Sequence, residues 1–96
     1  MRIVWSPRAQ RRLLEYGDFI AQDNIEAARR WQEGIIEKVE KMQDFPEQGR
    51  IVSEDGRPNV REIFYKSHRI IYKLTSREIL ILTIRHSKQL IDEKEL

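Results

Sequence analysis

The sequence predicts an α+β fold of the order β-α-α-β-β-β, in which a helical hairpin packs on one face of a mostly antiparallel sheet. A β-forming stretch opens the chain, and two stretches with apolar residues at helical spacing follow it. Three β-rich stretches separated by two-residue turns come last. With 96 residues the chain has the length of one domain, so residues 1–96 are expected to form a single unit.

The two helices are predicted from capping residues and apolar spacing. After the β-forming stretch Arg2–Trp5, Ser6 and Pro7 are typical of a helix N-cap and first helical position. Asp23-Asn24 breaks this helix, and a second amphipathic helix is predicted over residues 25–44. Because each helix has a single apolar stripe, both need an apolar surface such as a sheet to cover.

The strands are predicted over residues 60–65, 68–75 and 78–85, and residues 51–53 have the composition of one more short strand. The last of the three long strands is apolar almost throughout, which indicates burial on both of its faces. The chain then ends in a mostly polar segment, and its residues 89–96 are expected to form a short helix or a frayed tail.

The sheet face turned away from the helices is predicted to be mixed apolar and basic. On the second long strand, Arg69, Ile71 and Lys73 alternate with apolar residues. Simple alternation on the third strand places Ile79 and Ile81 on one face together with Thr83. An uncovered apolar patch typically marks a protein partner. The alternatives are that the C-terminal tail or a second copy of the chain covers this face.

Positive charge is concentrated in one third of the chain. Residues 57–88 carry eight Lys and Arg side chains against two Glu, whereas the charges of residues 1–44 sum to zero. Such a segment favours a polyanion or an acidic protein as partner. The alternative is a basic face that contacts only solvent.

Several function classes are excluded or disfavoured. The chain has no cysteine, which excludes disulfide scaffolds and thiol catalysis, and no apolar run of the ~20 residues that span a membrane. Nucleotide-binding and hydrolase motifs are absent, and neither His68 nor His86 has a second ligand at metal-binding spacing. We therefore expect a cytoplasmic protein without a metal, a cofactor or a membrane partner.

Six segments match short motifs in the same order and at the same spacing as in one family. They are Trp5-Ser6-Pro7-Arg8-Ala9, Tyr16 with Phe19–Asn24 and Ala27-Ala28, Phe45–Arg50, Arg61-Glu62, His68–Tyr72 and Ile84–Lys88. Together they resemble the ParE branch of the ParE/RelE toxin superfamily, the toxins of type II toxin–antitoxin modules. Two positions depart from the family pattern, since Ile25 replaces a usual proline and His68 a usual tyrosine.

The resemblance implies the β-α-α-β-β-β toxin fold and a cognate antitoxin, whose disordered segment folds on the toxin to form a hetero-oligomer. ParE-like members trap DNA gyrase on cleaved DNA, whereas RelE-like members cut mRNA in the ribosomal A site. If the chain is ParE-like, we expect a plasmid-stabilisation toxin that inhibits gyrase by binding to it and has no catalytic residue. The alternative is a ribosome-dependent mRNA endoribonuclease of RelE type.

The candidate residues for these sites are the basic and apolar positions of the predicted strands. The gyrase contact is expected at Arg61, Arg69, Lys73, Arg85, His86 and Lys88. The antitoxin is expected to cover Ile71, Ile79 and Ile81, or the same alternation one residue out of register. In the endoribonuclease alternative, His86 would transfer the proton, and Arg61, Arg69 and Arg85 would hold phosphate.

Overall fold

Two helices lie on one face of a five-stranded sheet in the computed structural model, which describes residues 1–96. The elements are β1 (Arg2–Trp5), α1 (Pro7–Ala21), α2 (Ile25–Glu40), β2 (Arg50–Ile51), β3 (Val60–Tyr65), β4 (His68–Leu74) and β5 (Glu78–His86), with 3-10 turns at Lys41–Gln43 and Glu93–Glu95. The strand order is β1-β5-β4-β3-β2, and only the β1–β5 pair is parallel. The predicted fold class is confirmed.

The helix starts follow the predicted caps. The Ser6 hydroxyl accepts a hydrogen bond from the Ala9 amide at 3.0 Å, and the Asn24 side chain accepts one from the Ala27 amide at 3.0 Å. The second helix is shorter than predicted, since its last residues tighten into the 3-10 turn after Glu40. Neither α1 nor α2 combines the length and the apolar composition that a membrane-spanning helix needs.

The main core fills the space between the helices and the sheet. Trp31, Ile35 and Val39 of α2 are buried there. The sheet contributes Ile63, Ile70, Tyr72, Ile79, Ile81 and Ile84. Trp5 is partly buried against the same cluster. The apolar stripes predicted for the helices and strands therefore meet as one core.

A bulge in β5 changes which of its residues face the helices. Ile71 of β4 pairs with Thr83, whereas the next residue, Tyr72, pairs with Ile81, so Leu82 is the extra residue. Beyond the bulge Ile84 joins the helix-side core, and Thr83 faces the other way. The expectation that Thr83 shares a face with Ile81 is therefore wrong, because simple alternation does not anticipate an inserted residue.

The C-terminal strap (Gln89–Leu96) covers part of the second face of the sheet. Its Ile91 is buried with Val52, Val60 and Ile71 in a small second core. Leu82 packs against the same cluster. The strand β5 is thus buried on both faces, as its apolar run predicts. This part of the mixed face is covered by the chain's own end, which was one of the alternatives left open by the sequence.

Candidate functional site

Aromatic and imidazole rings meet where β4 begins and β5 ends. The His68 ring packs edge-on against Tyr16 and Trp31, with centroid distances of 4.7 and 4.8 Å. The centroid of the His86 ring lies 5.4 Å from that of His68. Beside these rings a cleft of about 540 Å³ opens to solvent. It is lined by Glu15, Tyr16, Phe19, Ile20, His68, His86 and Gln89.

His68 is uncharged at neutral pH. Burial, with a smaller contribution from His86, lowers the pKa of His68 to about 4. Its Nδ1 atom is buried and has no hydrogen-bond partner in the protein. No group of three or more His, Asp or Glu side chains comes together as a metal cluster anywhere in the chain. The two histidines therefore stand as a pair within an aromatic setting.

The turn after β5 is held in one geometry by side chains from both of its ends. The His86 amide donates to the Tyr16 hydroxyl at 3.2 Å and to Gln89 Oε1 at 3.1 Å. The Tyr16 hydroxyl in turn donates to Gln89 Oε1 at 2.8 Å, and the Lys88 amide donates to His86 Nδ1 at 3.2 Å. These bonds tie α1 to the turn, so the direction in which Lys88 leaves the sheet is fixed.

Two exposed lysines frame this end of the sheet. The Ser87 amide donates to the Ser67 carbonyl at 2.8 Å, which joins the turn after β5 to the turn between β3 and β4. Lys66 and Lys88 lie on these two turns, and both side chains are exposed. Phe19 on the nearby rim of the cleft is 70% exposed. Accessible positive charge and an accessible aromatic ring thus occur close to the cleft.

Arg69, predicted to contact the target, is instead buried in an ion-pair network. Its guanidinium donates to Glu62 Oε1 at 2.6 Å and to the two oxygens of Glu54 at 2.8 and 2.9 Å. These hydrogen bonds lower the pKa of Glu54 to about 2 and raise the pKa of Arg69 above its usual value. Arg69 is 6% exposed, so it is not an accessible cation.

Arg61 lies on the opposite side of the sheet from Arg69. Antiparallel pairing sets Arg61 against Tyr72, which faces the helices, and sets Arg69 against Phe64. Arg61 donates to the backbone carbonyls of Pro58 and Gly49 at 3.0 and 2.9 Å. It therefore holds loops together, and the expected single basic strand face is not formed.

The remaining basic residues predicted to contact the target also lie on different faces of the sheet. Arg85 pairs with Arg69 across the strands and lies under the C-terminal strap, with its Nε 3.8 Å from Glu95. Lys73 is half-buried on that same face. His86 faces the helix side, opposite to Arg85, because neighbouring strand residues alternate. The four residues of the endoribonuclease hypothesis are thus spread over both faces and do not converge.

The three isoleucines predicted to bind the antitoxin do not share a surface. Ile79 and Ile81 have no exposed area and belong to the core under the helices, whereas Ile71 lies on the opposite face in the second core. On β5 the second face is formed by Leu80, which pairs with Lys73, and by Leu82, which packs near Ile71. These residues lie one position away from the predicted Ile79 and Ile81. An antitoxin on the second face would meet Leu80 and Leu82 in place of Ile79 and Ile81, and its binding there stays a prediction.

Sequence reasoning missed two parts of this arrangement. Phe19 lies outside the apolar stripe of α1, and such an isolated aromatic on a polar helix face was a usable signal for the cleft. Within the C-terminal strap, Ile91 and Glu95 lie four residues apart and are both buried. No local pattern distinguishes Glu95 from the exposed Glu93, because its burial depends on distant residues of α1 and β5.

Comparison with known proteins decides the family. A family model described as "ParE toxin of type II toxin-antitoxin system, parDE" matches residues 3–91 of the chain. The chain belongs to the ParE toxin family. A curated relative from Sinorhizobium fredii, named "Putative toxin Y4kP", is 36% identical over 91 residues, which span 92% of this chain and 90% of the relative.

A solved structure has the same fold as this ParE-family chain. It is titled "Chromosomal ParDE TA system from P. aeruginosa" and superimposes with a TM-score of 0.76. The match covers 92% of this chain and 97% of the other, at 23% sequence identity. The chain is therefore a type II toxin by family, with a fold already seen in a toxin–antitoxin system.

Proposed function

We propose that this ParE-family toxin inhibits DNA gyrase and is neutralised by a cognate antitoxin. The observation that carries the proposal is the family match over residues 3–91, which includes nearly all of the folded chain. The solved relative's title names a ParDE toxin–antitoxin system, which supports an antitoxin as the partner of this chain. A toxin of this kind acts by holding one state of its target, which is a shift of a population and requires no chemistry.

The target contact is proposed at the end of the sheet around His86 and Lys88. There, exposed lysines, a cleft and the protruding ring of Phe19 occur together. Aromatic side chains that become buried on binding, together with neighbouring charged residues, typically contribute most of the binding energy of a protein interface. Of the six predicted contact residues, Lys88 is exposed and His86 lines the cleft. Arg69 is buried, and Arg61 bonds to loop carbonyls.

The mRNA endoribonuclease is not proposed as a second function, because no observation favours it. General acid–base catalysis needs the acid, the base and the phosphate-binding cations around one reacting group. His86 faces the cleft, whereas Arg69 and Arg85 lie on the other side of the sheet.

The proposal is tested by a gyrase supercoiling assay, read on a gel that separates linear, relaxed and supercoiled plasmid. The purified chain should produce linear DNA that depends on gyrase and disappears when the cognate antitoxin is added. Absence of linear DNA at micromolar concentrations of folded protein would exclude gyrase as the main target. Cleavage of ribosome-bound mRNA would then be measured, with His86→Gln as the test for proton transfer.

The contact surface is tested in the same assay with matched variants. Phe19→Ala and Lys88→Glu should each raise the protein concentration needed for half-maximal DNA cleavage by roughly tenfold, since an anchor or a complementary charge is lost. Phe45→Ala is the control for the first, because Phe45 is also 70% exposed but lies near Leu74 at the other end of β4. Lys41→Glu, another exposed lysine, is the control for the second. Equal effects of variants and controls would contradict the proposed surface.

A further inference from the structure

The C-terminal strap is attached to the sheet as a peptide is attached to a groove. It forms no strand pairing, and its only regular element is the single 3-10 turn Glu93–Glu95. Two of its side chains, Ile91 and Glu95, are buried, and they are four residues apart. The residues between them, Asp92, Glu93 and Lys94, are exposed. The strap is therefore held by two buried side-chain anchors and by its backbone. The Gln89 side chain, bonded to Tyr16 and the His86 amide, and the partly buried Leu96 add to this attachment.

The first anchor is apolar. Ile91 is 8% exposed and packs with Val52, Val60 and Ile71, which have no exposed area. Its neighbour Leu90 is 80% exposed, so burial at this place is selective for one side chain. The floor of the groove is thus an apolar socket on the second face of the sheet.

The second anchor is a carboxylate. Glu95 is 7% exposed and accepts hydrogen bonds from Thr83 Oγ1 at 2.9 Å and from Arg12 at 3.2 Å. Arg85 lies 3.8 Å from the same carboxylate, yet its buried Nε has no hydrogen-bond partner. This end of the groove is therefore a pocket for an anion that the native carboxylate fills incompletely.

Backbone groups of the strap are also bound by side chains of the groove. Arg69 donates to the Gln89 carbonyl at 3.2 Å, and the Ile91 amide donates to Glu54 at 3.1 Å. Near the end of the chain, Arg8 donates to the Lys94 carbonyl at 2.7 Å. Contacts to the backbone do not depend on the side chains of the strap, so another peptide with the same two anchors can satisfy them.

We propose that this groove is a peptide-binding site that the chain occupies with its own C-terminus. Its external ligand is a segment of a partner protein with an apolar residue followed, four positions later, by a carboxylate. The inference rests on the proposed function in that this partner is the antitoxin. Glu54 and Glu62 are paired with Arg69, so the arginines Arg8, Arg12 and Arg85 leave the far end of the groove positively charged and complementary to an acidic segment.

The tethered strap and the external segment compete. A short tether gives the strap an effective concentration on the order of millimolar, so it excludes weak ligands. The apparent affinity of an external peptide falls in proportion to the fraction of chains in which the groove is open. Weakening its anchors should therefore expose the groove and raise the affinity for a peptide in solution.

The first test uses a fluorescein-labelled synthetic peptide with the sequence of residues 87–96 and measures fluorescence anisotropy. The full chain carrying Ile91→Ala and Glu95→Gln should bind this probe at least tenfold more tightly than the unmodified chain. The matched control carries Leu90→Ala and Glu93→Gln, which change exposed residues of the same types. It should bind the probe as the unmodified chain does. Circular dichroism verifies that both variants are folded.

Two results of this test would overturn the proposal. One is equal probe affinity for the unmodified chain and both double variants. The other is unchanged binding of a second probe in which the positions of Ile91 and Glu95 carry alanine and glutamine. Either result would show that the two anchors are not what the groove recognises.

The second test needs no variant and concerns the partner. Addition of the antitoxin to the unmodified chain should speed hydrogen exchange at the amides of the strap, including the Ile91 amide that now bonds to Glu54. It should also release the probe from the anchor variant. Slower exchange with retained probe would refute competition for the groove. Gyrase is absent from both tests, so failure of the proposed target and failure of this inference are distinguishable.

Discussion

Arg69→Met tests whether the buried ion-pair network is a main source of stability. Arg69 donates three hydrogen bonds of 2.6 to 2.9 Å to two carboxylates. The carboxylate of Glu54 can turn toward solvent once the guanidinium is gone, because its side chain is 21% exposed. The carboxylate of Glu62 cannot, since its side chain is 1% exposed. The cost of the substitution is therefore dominated by the buried charge of Glu62, which loses its buried partner and keeps only the exposed Arg50.

The expected magnitude is large for a chain of this size. Removing one partner of a buried ion pair typically costs about 3–5 kcal/mol. A domain of 96 residues has a free energy of unfolding of roughly 5–15 kcal/mol. Arg69→Met should thus remove a substantial part of the stability. Part of the loss should disappear in the double variant Arg69→Met/Glu62→Met, because the buried carboxylate of Glu62 is then removed together with its partner.

Urea denaturation followed by tryptophan fluorescence measures the effect. Arg50→Met is the matched control, because Arg50 contacts the same Glu62 at 3.0 Å but has a side chain that is 71% exposed. An exposed partner of this kind contributes about 0–1 kcal/mol. A loss below about 1 kcal/mol for Arg69→Met, or a loss equal to that of the control, would refute the reasoning that burial of Glu62 sets the cost.

Three further perturbations give distinct outcomes. The pKa of His68 is lowered from 6.5 to about 4 in the folded chain, so the unfolded chain binds more protons between these pH values. The free energy of unfolding should therefore fall by about 1–3 kcal/mol as the pH is lowered from 6.5 toward 4. Urea titrations at both pH values should show a smaller fall in His68→Leu, and identical falls would contradict the burial argument. Gly49→Ala would place a Cβ 2.7 Å from the Glu62 backbone oxygen and should lower the free energy of unfolding by about 1–3 kcal/mol. In Gly17→Ala the added Cβ meets only the flexible side chain of Gln32, so this variant should be nearly neutral. Thermal melting should show a lower melting temperature for the first variant than for the second. Asn24→Ala removes the cap on Ala27 and should lower stability by about 1 kcal/mol, while Asn24→Ser should retain most of it; equal melting temperatures would show that the cap is dispensable.

The sequence was sufficient for the elements because their signals are local. Ser6 and Asn24 cap helices through residues three positions away, and the apolar stripes of the helices repeat within a few turns. The bulge at Leu82 was not predictable, because it depends on how β5 pairs with a separate strand. The roles of Arg61 and Arg69 were missed for the same reason. A basic residue on a strand is predicted to be exposed unless the carboxylates or carbonyls that surround it in the fold are known.

The candidate site was predicted in part. His86 and Lys88 were named from the sequence, and the structure places them beside the cleft with Tyr16. The role of Tyr16 could not be read from its helical spacing, because its ring packs on His68 while its hydroxyl bonds the turn after β5. A residue with two such contacts has the sequence pattern of an ordinary core position.

The pairing of β1 with β5 has a consequence for how the chain is made. Arg2 pairs with Glu78 and Trp5 with Ile81, so the first strand to be synthesised lies beside the last. Contacts between such distant residues form only after a long loop has closed, and they make folding slow. During translation, β1 therefore cannot pair, and the helices cannot complete their packing on the sheet, until β5 has left the ribosome. An incompletely synthesised chain lacks the strand that joins β1 to β4, and a translation product truncated before β5 cannot assemble the core.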